Sequence, residues 1–321
     1  MKKSSNIIEL PFAILDILDK QSDENNIISM PDLLIELEEY GFNCDRRSVY
    51  KAIKALNKYN NNILYKQIHR KQGYYLKRDL SEAELALITS SLYNLSSLSL
   101  NETKKIETKI NKLYSHFKSQ NSLKTNPINN KTDNNYVINN ISIILEAIKN
   151  NNDISFKYYD LTISKEKKYR KDKERYILTP YATVFIQGKI YAILYNTKYN
   201  SFNTYRIDKM ESISIIEANN TKVPFNIDNY LRNSFQMYSG EASTVTLKCD
   251  ASLANIIFDE FGKDIIISKV TDDYFVISIR SSITPTLVSW LLQFYDKIEI
   301  LKPKELIIEL KRIAKHISKT Y

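Results

Sequence analysis

Two cysteines, five glycines and three histidines in 321 residues leave little material for several kinds of chemistry. Cys44 and Cys249 fall in different modules, so no disulfide framework is expected, and a reducing cytoplasm is the natural setting. None of the glycines builds a phosphate-binding loop or a dinucleotide fingerprint. His69, His116 and His316 share no metal-ligand spacing with one another or with the cysteines, so neither metal nor cofactor is expected. Ser239-Gly240 lacks the other residues of a nucleophile elbow. With the common catalytic frameworks missing, the expectation is a protein that is not an enzyme. No apolar run approaches the ~18 residues of a membrane span. Behind Met1-Lys2-Lys3, the residues Glu9, Pro11 and Asp16 interrupt what would be the hydrophobic part of a signal peptide. No membrane partner is expected.

A further absence is local. From Arg46 to Arg78 there are ten Lys or Arg and no Asp or Glu, in a chain whose net charge is +9. Met1 to Asp45, by contrast, holds three Lys against ten acids. So abrupt a change of sign marks a surface with a polyanionic partner rather than a uniformly basic chain. Asn runs such as Asn60 to Asn62 and Asn150 to Asn152 reflect an overall bias, so single Lys or Tyr residues elsewhere carry little weight.

Within the basic stretch, Asp45 is placed to cap a helix running to about Lys58. At roughly 100° per residue, Val49, Ala52, Ile53 and Leu56 share one arc of that helix. Arg46, Arg47, Tyr50, Lys51, Lys54 and Lys58 share another. A helix with one apolar and one basic stripe suits a DNA major groove, where Arg and Lys reach guanine edges and phosphates. Upstream, Ser29 caps a helix with Pro31 in its first turn, Leu33, Leu34 and Leu37 inside, and Gly41 as its stop. Downstream, Ile63 to Ile68 and Tyr74 to Leu76 read as strands around a loop His69 to Gly73. In that reading Gly73 supplies the positive φ, with Arg70 and Lys71 at the tip. Ile7, Ile8, Phe12, Leu15 and Leu18 supply the inner face of a first helix. Residues 1–78 thus read as a winged helix-turn-helix. Arg46, Arg47, Tyr50 and Lys51 are expected to touch bases, and Lys54, Lys58, Arg70 and Lys71 to hold phosphates.

Residues 79–135 read as a helical bridge and linker. Ser81 and Glu84 form a capping box ahead of Leu85, Leu87, Ile88 and Leu92. A second helix follows with Ile106, Ile110, Leu113 and Phe117, and the pair offers a dimer contact. Asn121 to Asn135 is polar and linker-like. Residues 136–222 open with a helix burying Ile141, Ile144, Leu145 and Ile148, after which the period becomes two. Ile154 to Tyr158, Arg175 to Leu178, Thr183 to Ile186, Lys189 to Tyr195, Asn203 to Ile207 and Ser212 to Ile216 alternate. They predict a bent antiparallel sheet or small barrel. Residues 223–321 predict an α+β unit in which two helices pack on a sheet, with a hairpin turn at Asp272-Asp273. The fold class is therefore multidomain α+β.

Six strings, in order, carry a family resemblance. They are Cys44 to Tyr50, Phe156-Lys157-Tyr158, Leu178 to Tyr181, Gly188 to Ala192, Tyr205 to Met210 and Phe235 to Glu241. In these strings and in the order of its modules the chain resembles the WYL-domain transcriptional regulators of bacteria. These join a winged helix-turn-helix, a small Sm-like WYL barrel and a C-terminal extension. The name-giving Trp-Tyr-Leu is Ile190-Tyr191-Ala192 here, Asn203 stands where many members have Arg, and Lys209 replaces a later Arg. The resemblance implies a sensor of nucleotide-like or nucleic-acid anions. On the predicted strands, Tyr158, Tyr181, Tyr205 and Arg206, with Lys209, suit stacking of a base and pairing with a phosphate. Lys157 to Arg175, eight Lys or Arg against four acids, reads as a solvated hairpin or a rim for that anion.

The function expected is a homodimeric, ligand-responsive regulator of transcription that binds a double-stranded operator. The alternative is an accessory protein that binds single-stranded nucleic acid and modulates a partner enzyme.

Overall fold

Four short polar side chains start four of the helices of the N-terminal half. Ser29, Asp45, Ser81 and Ser99 sit in extended backbone, and each accepts from the N–H three residues on, at 3.3, 2.8, 3.3 and 3.2 Å. Each serine cap contributes about 1 kcal/mol. At Ser81 the box is reciprocal, with the Glu84 carboxylate accepting from the Ser81 N–H at 2.7 Å. The computed structural model describes residues 7–59, 62–113, 130–170, 174–217, 223–233 and 242–321. It divides into two units, Met1–Asn135 and Tyr136–Tyr321.

In the first unit, α1 (Leu10–Gln21), α2 (Met30–Glu39) and α3 (Arg46–Lys58) share one core with a hairpin, β1 (Ile63–Ile68) and β2 (Lys71–Leu76). Leu10, Ile14, Ile17, Leu18, Leu33, Leu37, Val49, Ile53 and Leu56 are buried in it. The first helix is phased differently from the expectation. A 3-10 turn over Ile7–Glu9 precedes it, in which Ile8 is exposed, and within α1 the inward arc is Leu10, Ala13, Ile14, Ile17 and Leu18, which leaves Phe12 exposed. The hairpin also differs. Ile68 pairs with Lys71, so the loop is His69-Arg70 alone, with His69 at φ +52°. Gly73 lies inside β2 opposite Lys66, and its role is close approach: a Cβ there would sit 2.3 Å from the Ile28 carbonyl oxygen. Ile28 and Tyr74 exchange both backbone hydrogen bonds, at 2.9 and 2.8 Å. The Asn57 side chain ties α3 to β1, donating to the Ile63 carbonyl and accepting from its N–H, both at 2.8 Å.

Two further helices, α4 (Glu82–Asn94) and α5 (Leu100–Asn111), meet through Leu85, Leu92, Ile106 and Ile110. Leu87, Ile88 and Leu113 are exposed, and Phe117 lies outside the described residues. Most of the linker expected from Asn121 is also outside them. Its end is pinned: the Lys131 ammonium donates to the carbonyls of Leu92 and Leu95, at 3.2 and 3.0 Å, and to Thr103 Oγ1 at 3.1 Å. Burial lowers the pKa of that ammonium.

The second unit begins with α6 (Val137–Lys149), which buries Val137, Asn140, Ile144 and Ala147 and exposes Leu145. Five longer strands follow: β3 (Asp153–Leu161), β5 (Tyr176–Ile186), β6 (Lys189–Asn196), β7 (Ser201–Arg206) and β8 (Met210–Ile216), with a short β4 (Lys167–Tyr169). The two strands expected at 175–178 and 183–186 are one strand, β5, with a register shift between Pro180 and Ala182. Proline cannot donate to the ladder, and the bulge it sits in bends the strand instead of ending it. In the sheet the order is β4-β3-β5-β6-β7, with β8 on β3, so β3 and β7 are separated by two strands. Nevertheless the Arg206 N–H of β7 donates to the Tyr158 hydroxyl of β3 at 3.3 Å, so the sheet curls into half a barrel.

A helix α7 (Ile227–Asn233) and a second antiparallel sheet complete the unit. The sheet order is β10 (Ile266–Val270), β11 (Tyr274–Ser282), β9 (Ala242–Asp250), β12 (Ile298–Lys302). Three helices, rather than two, pack on it: α8 (Ala254–Phe261), α9 (Pro285–Leu292) and α10 (Lys304–Thr320), through Ile257, Leu287, Leu291 and Leu306. The turn at Asp272-Asp273 links β10 to β11.

Candidate nucleic-acid interface and anion site

On α3 the buried residues are Val49, Ala52, Ile53 and Leu56, which fixes the opposite side outward. Arg46, Arg47, Tyr50, Lys51, Lys54 and Lys58 are all exposed. The five cations make no ion pair or hydrogen bond among the described residues. The Asp45 carboxylate, held by the Ser48 hydroxyl and then by the Ser48 N–H, lies below its usual pKa and stays charged at the positive helix end. Tyr50 leans edge-on against Tyr74, ring centroids 6.4 Å apart. Burial pushes the Tyr74 phenol up to about 12. In the hairpin, Arg70 occupies the loop and makes no ion pair among the described residues. Lys71, expected beside it at the tip, is in β2 and pairs with Asp32 at 3.1 Å.

Inside the curled sheet a second group of predicted residues meets. Tyr158 and Tyr205 pack edge to face at 5.3 Å, and Phe156 and Tyr176 join them, with Phe156 stacked on Tyr176 at 5.3 Å. Burial pushes both Tyr158 and Tyr205 up to about 12, so their hydroxyls remain protonated at neutral pH. Arg206 grips Asp208 through two bonds, Nε to Oδ1 at 3.0 Å and a terminal nitrogen to Oδ2 at 2.6 Å, and Asp208 is buried. Lys209 reaches Asp160 at 3.2 Å.

Three members of the group escaped sequence reasoning. The Arg170 guanidinium lies over the Tyr158 ring at 4.9 Å and takes Asp160 through two bonds, at 2.7 and 3.3 Å. Its signal was the basic run at 157–175, of which 171–173 lie outside the described residues. Lys189 has its pKa lowered by burial and then by the charge of Arg206 and Lys209, which puts it in the same field. Tyr176, at the start of β5, had no signal beyond alternation. Four cations (Arg170, Lys189, Arg206, Lys209) against two carboxylates (Asp160, Asp208) leave the group at +2.

Tyr181 does not join them. Its ring packs against Tyr195, Phe202 and Phe225, and its hydroxyl bridges the backbone of Val223, donating at 3.1 Å and accepting at 2.7 Å. Tyr176 and Tyr181 stand five residues apart on β5, an odd separation that turns them to opposite faces, and Tyr181 shares the face of Thr179 and its partner Tyr195. Of the departures from the family strings, Ile190 and Ala192 are buried in the core, and the Asn203 amide turns to Ser201 Oγ at 3.1 Å. The string Phe235 to Glu241 lies outside the described residues. Among the described residues no group of His, Cys, Asp and Glu is suited to a metal, and no helix is long and apolar enough to cross a membrane.

Comparison with known proteins agrees with the resemblance. Residues 139–215 match the WYL domain and residues 241–318 match the WCX domain. No curated protein matches the chain. Among solved structures it is similar to proteasome accessory factor B/C (PafBC) of Arthrobacter aurescens, at 14% identity and a TM-score of 0.29. That match covers 97% of this chain and 48% of the other, so this chain spans about half that protein's length.

Proposed function

This is a WYL-domain protein with a WCX domain behind it, and from that premise we propose a homodimeric, ligand-responsive regulator of transcription that binds double-stranded DNA. The observation that carries the reading is the outward arc of α3: five cations on one capped helix, none of them in an ion pair with a carboxylate among the described residues. In this reading residues 1–78 are a winged helix-turn-helix, with Arg46, Arg47, Tyr50 and Lys51 toward bases and Lys54, Lys58 and Arg70 toward phosphates. Residues 79–135 bridge to an Sm-like WYL barrel at 136–222 and an extension at 223–321. No catalytic step is assigned to the chain, and its setting is the cytoplasm.

The effector site is the aromatic and cationic group in the curled sheet. The half-buried Tyr205 offers aromatic surface for a base, Tyr158 becomes available to one where the Arg170 guanidinium moves off its ring, and the net positive charge suits a nucleotide-like or single-stranded nucleic-acid anion. Effector and operator influence each other only if the effector binds two dimer arrangements unequally. The test compares a duplex from the region upstream of its own gene with single strands of the same sequence, by gel shift over a salt series. Tighter binding to the duplex, with affinity falling steeply as salt rises, is the expected result. Preference for single strands without a footprint on the duplex overturns the operator reading. Native mass spectrometry for a co-purifying anion, lost in Arg206→Ala, tests the effector site separately.

A further inference from the structure

The outward arc of α4 is left uncovered, and its composition differs from the rest of the surface. From Leu85 to Asn101 the chain carries no charge, although 26% of the protein is charged. The inner arc of α4 meets α5 through Leu85 and Leu92. Its outer arc presents Ala83, Leu87, Ile88, Ser91 and Asn94, with Leu87 68% exposed and Ile88 40%. The one charge on that arc, Glu84, is used locally: its carboxylate accepts from the Ser81 N–H and from Ser81 Oγ, at 2.7 and 2.6 Å.

We infer that this face is where two copies of the chain meet, their α4 helices packed antiparallel about a two-fold axis at Leu87. Self-complementarity commits the face to a second copy. A contact about a two-fold axis sets each surface against itself, so a charge at its centre would meet its own sign. The uncharged stretch meets that condition, whereas a face for an acidic or basic foreign partner would carry the opposite charge. Spacing points the same way. Ala83, Leu87 and Ser91 stand at i, i+4 and i+8, one ridge with a large side chain between two small ones. In an antiparallel pair centred on Leu87, the two leucines meet at the axis, and Ala83 of one copy faces Ser91 of the other on either side, so the small residues let the helices approach closely around that contact. The Ser91 hydroxyl already donates to the Leu87 carbonyl at 2.8 Å, so covering it leaves no unmet donor. Opposed helix directions also bring unlike dipole ends together.

The inference rests on the dimer reading above and adds its location. Sedimentation of the full chain would be compared for the unaltered protein, Leu87→Glu, and the cysteine variants Leu87→Cys and Ala83→Cys/Ser91→Cys. The unaltered chain is expected to be a dimer. Leu87→Glu sets two carboxylates face to face and should weaken association at least about tenfold, with the thermal midpoint of the monomer kept because the residue is exposed. Both cysteine variants should form disulfide-linked dimers on mild oxidation, while the unaltered chain, with only Cys44 and Cys249, should not. Should Leu87→Glu fail to fold, the cysteine variants decide alone. A monomeric unaltered chain overturns the dimer reading and this one with it. A dimer that Leu87→Glu leaves intact and that the cysteines do not link overturns this face alone.

Discussion

The two cationic regions of this chain are built on opposite plans. On α3, Arg46, Arg47, Lys51, Lys54 and Lys58 project from one helix with no acid among them, and all are exposed. In the curled sheet, Arg170, Arg206 and Lys209 each hold a carboxylate, and beside them Tyr158 and Tyr176 are buried and Tyr205 half-buried. A polyanion meeting α3 displaces only water and counterions, so binding there is long-ranged, salt-sensitive and tolerant of position. An anion entering the sheet must make contacts that compensate for disturbing pairs already formed, so binding there selects on shape. In the proposed reading, one surface serves affinity and the other discrimination.

Charge reversal on the open surface should produce the largest effect. Arg47→Glu with Lys51→Glu removes two contacts and adds two repulsions, and is expected to cost on the order of a hundredfold in duplex affinity at moderate salt. Fluorescence anisotropy over a salt series measures it. An unchanged affinity would show that the cationic arc is only a solvated face, and the contrast between the regions would collapse.

The closed region should respond in stability instead. Asp208→Asn leaves the half-buried Arg206 guanidinium without its buried partner, and roughly 2–3 kcal/mol of folding stability should be lost. Denaturant melts of both proteins check it, and duplex affinity measured below the melt should be unchanged. Loss of DNA binding with stability intact would reverse the assignment of roles.

How much of this was legible beforehand follows from how local each feature is. The cap at Asp45 and the arcs of α3 depend on residues within one helix, and the structure has them as expected. Gly73 was misjudged because its constraint comes from Ile28, forty-five positions earlier, whose carbonyl admits no Cβ. Tyr181 was grouped with Tyr158 and Tyr205 because they fall on neighbouring predicted strands; which face each ring takes depends on register, and Tyr181 lies with Thr179 and Tyr195 on the face away from Tyr176. Arg170 and Lys189 were missed for the converse reason: only the curling of the sheet gathers them around Tyr158 and Arg206. For the family itself, short strings in a fixed order sufficed, since the matched WYL segment embraces four of the six.

A smaller test separates cations within the open region. Lys54→Ala removes a free ammonium and should flatten the salt slope of duplex binding by about 0.9 unit, with equal loss on matched and scrambled sequences. Lys71→Ala should do much less, because Lys71 already faces Asp32 at 3.1 Å. Equal effects from the two would mean that this surface ion pair opens on binding at little cost.

The smallest effect concerns pH and the closed region alone. Hydrogen bonding from Arg170, together with Lys209, holds the Asp160 carboxyl below its usual range. A carboxylate whose pKa is lower folded than unfolded adds stability at pH values above the unfolded pKa, about 3.9 for aspartate. That contribution is lost as pH falls through the lowered value. The pair is partly exposed, so solvent screening keeps the effect small. In Arg170→Ala, Asp160 moves back toward its ordinary pKa, and the difference in melting temperature between variant and unaltered chain should narrow as pH is lowered from 6 toward 3. A difference that stays constant over that range would mean that Arg170 stabilises the fold through its packing on Tyr158 and not through its charge.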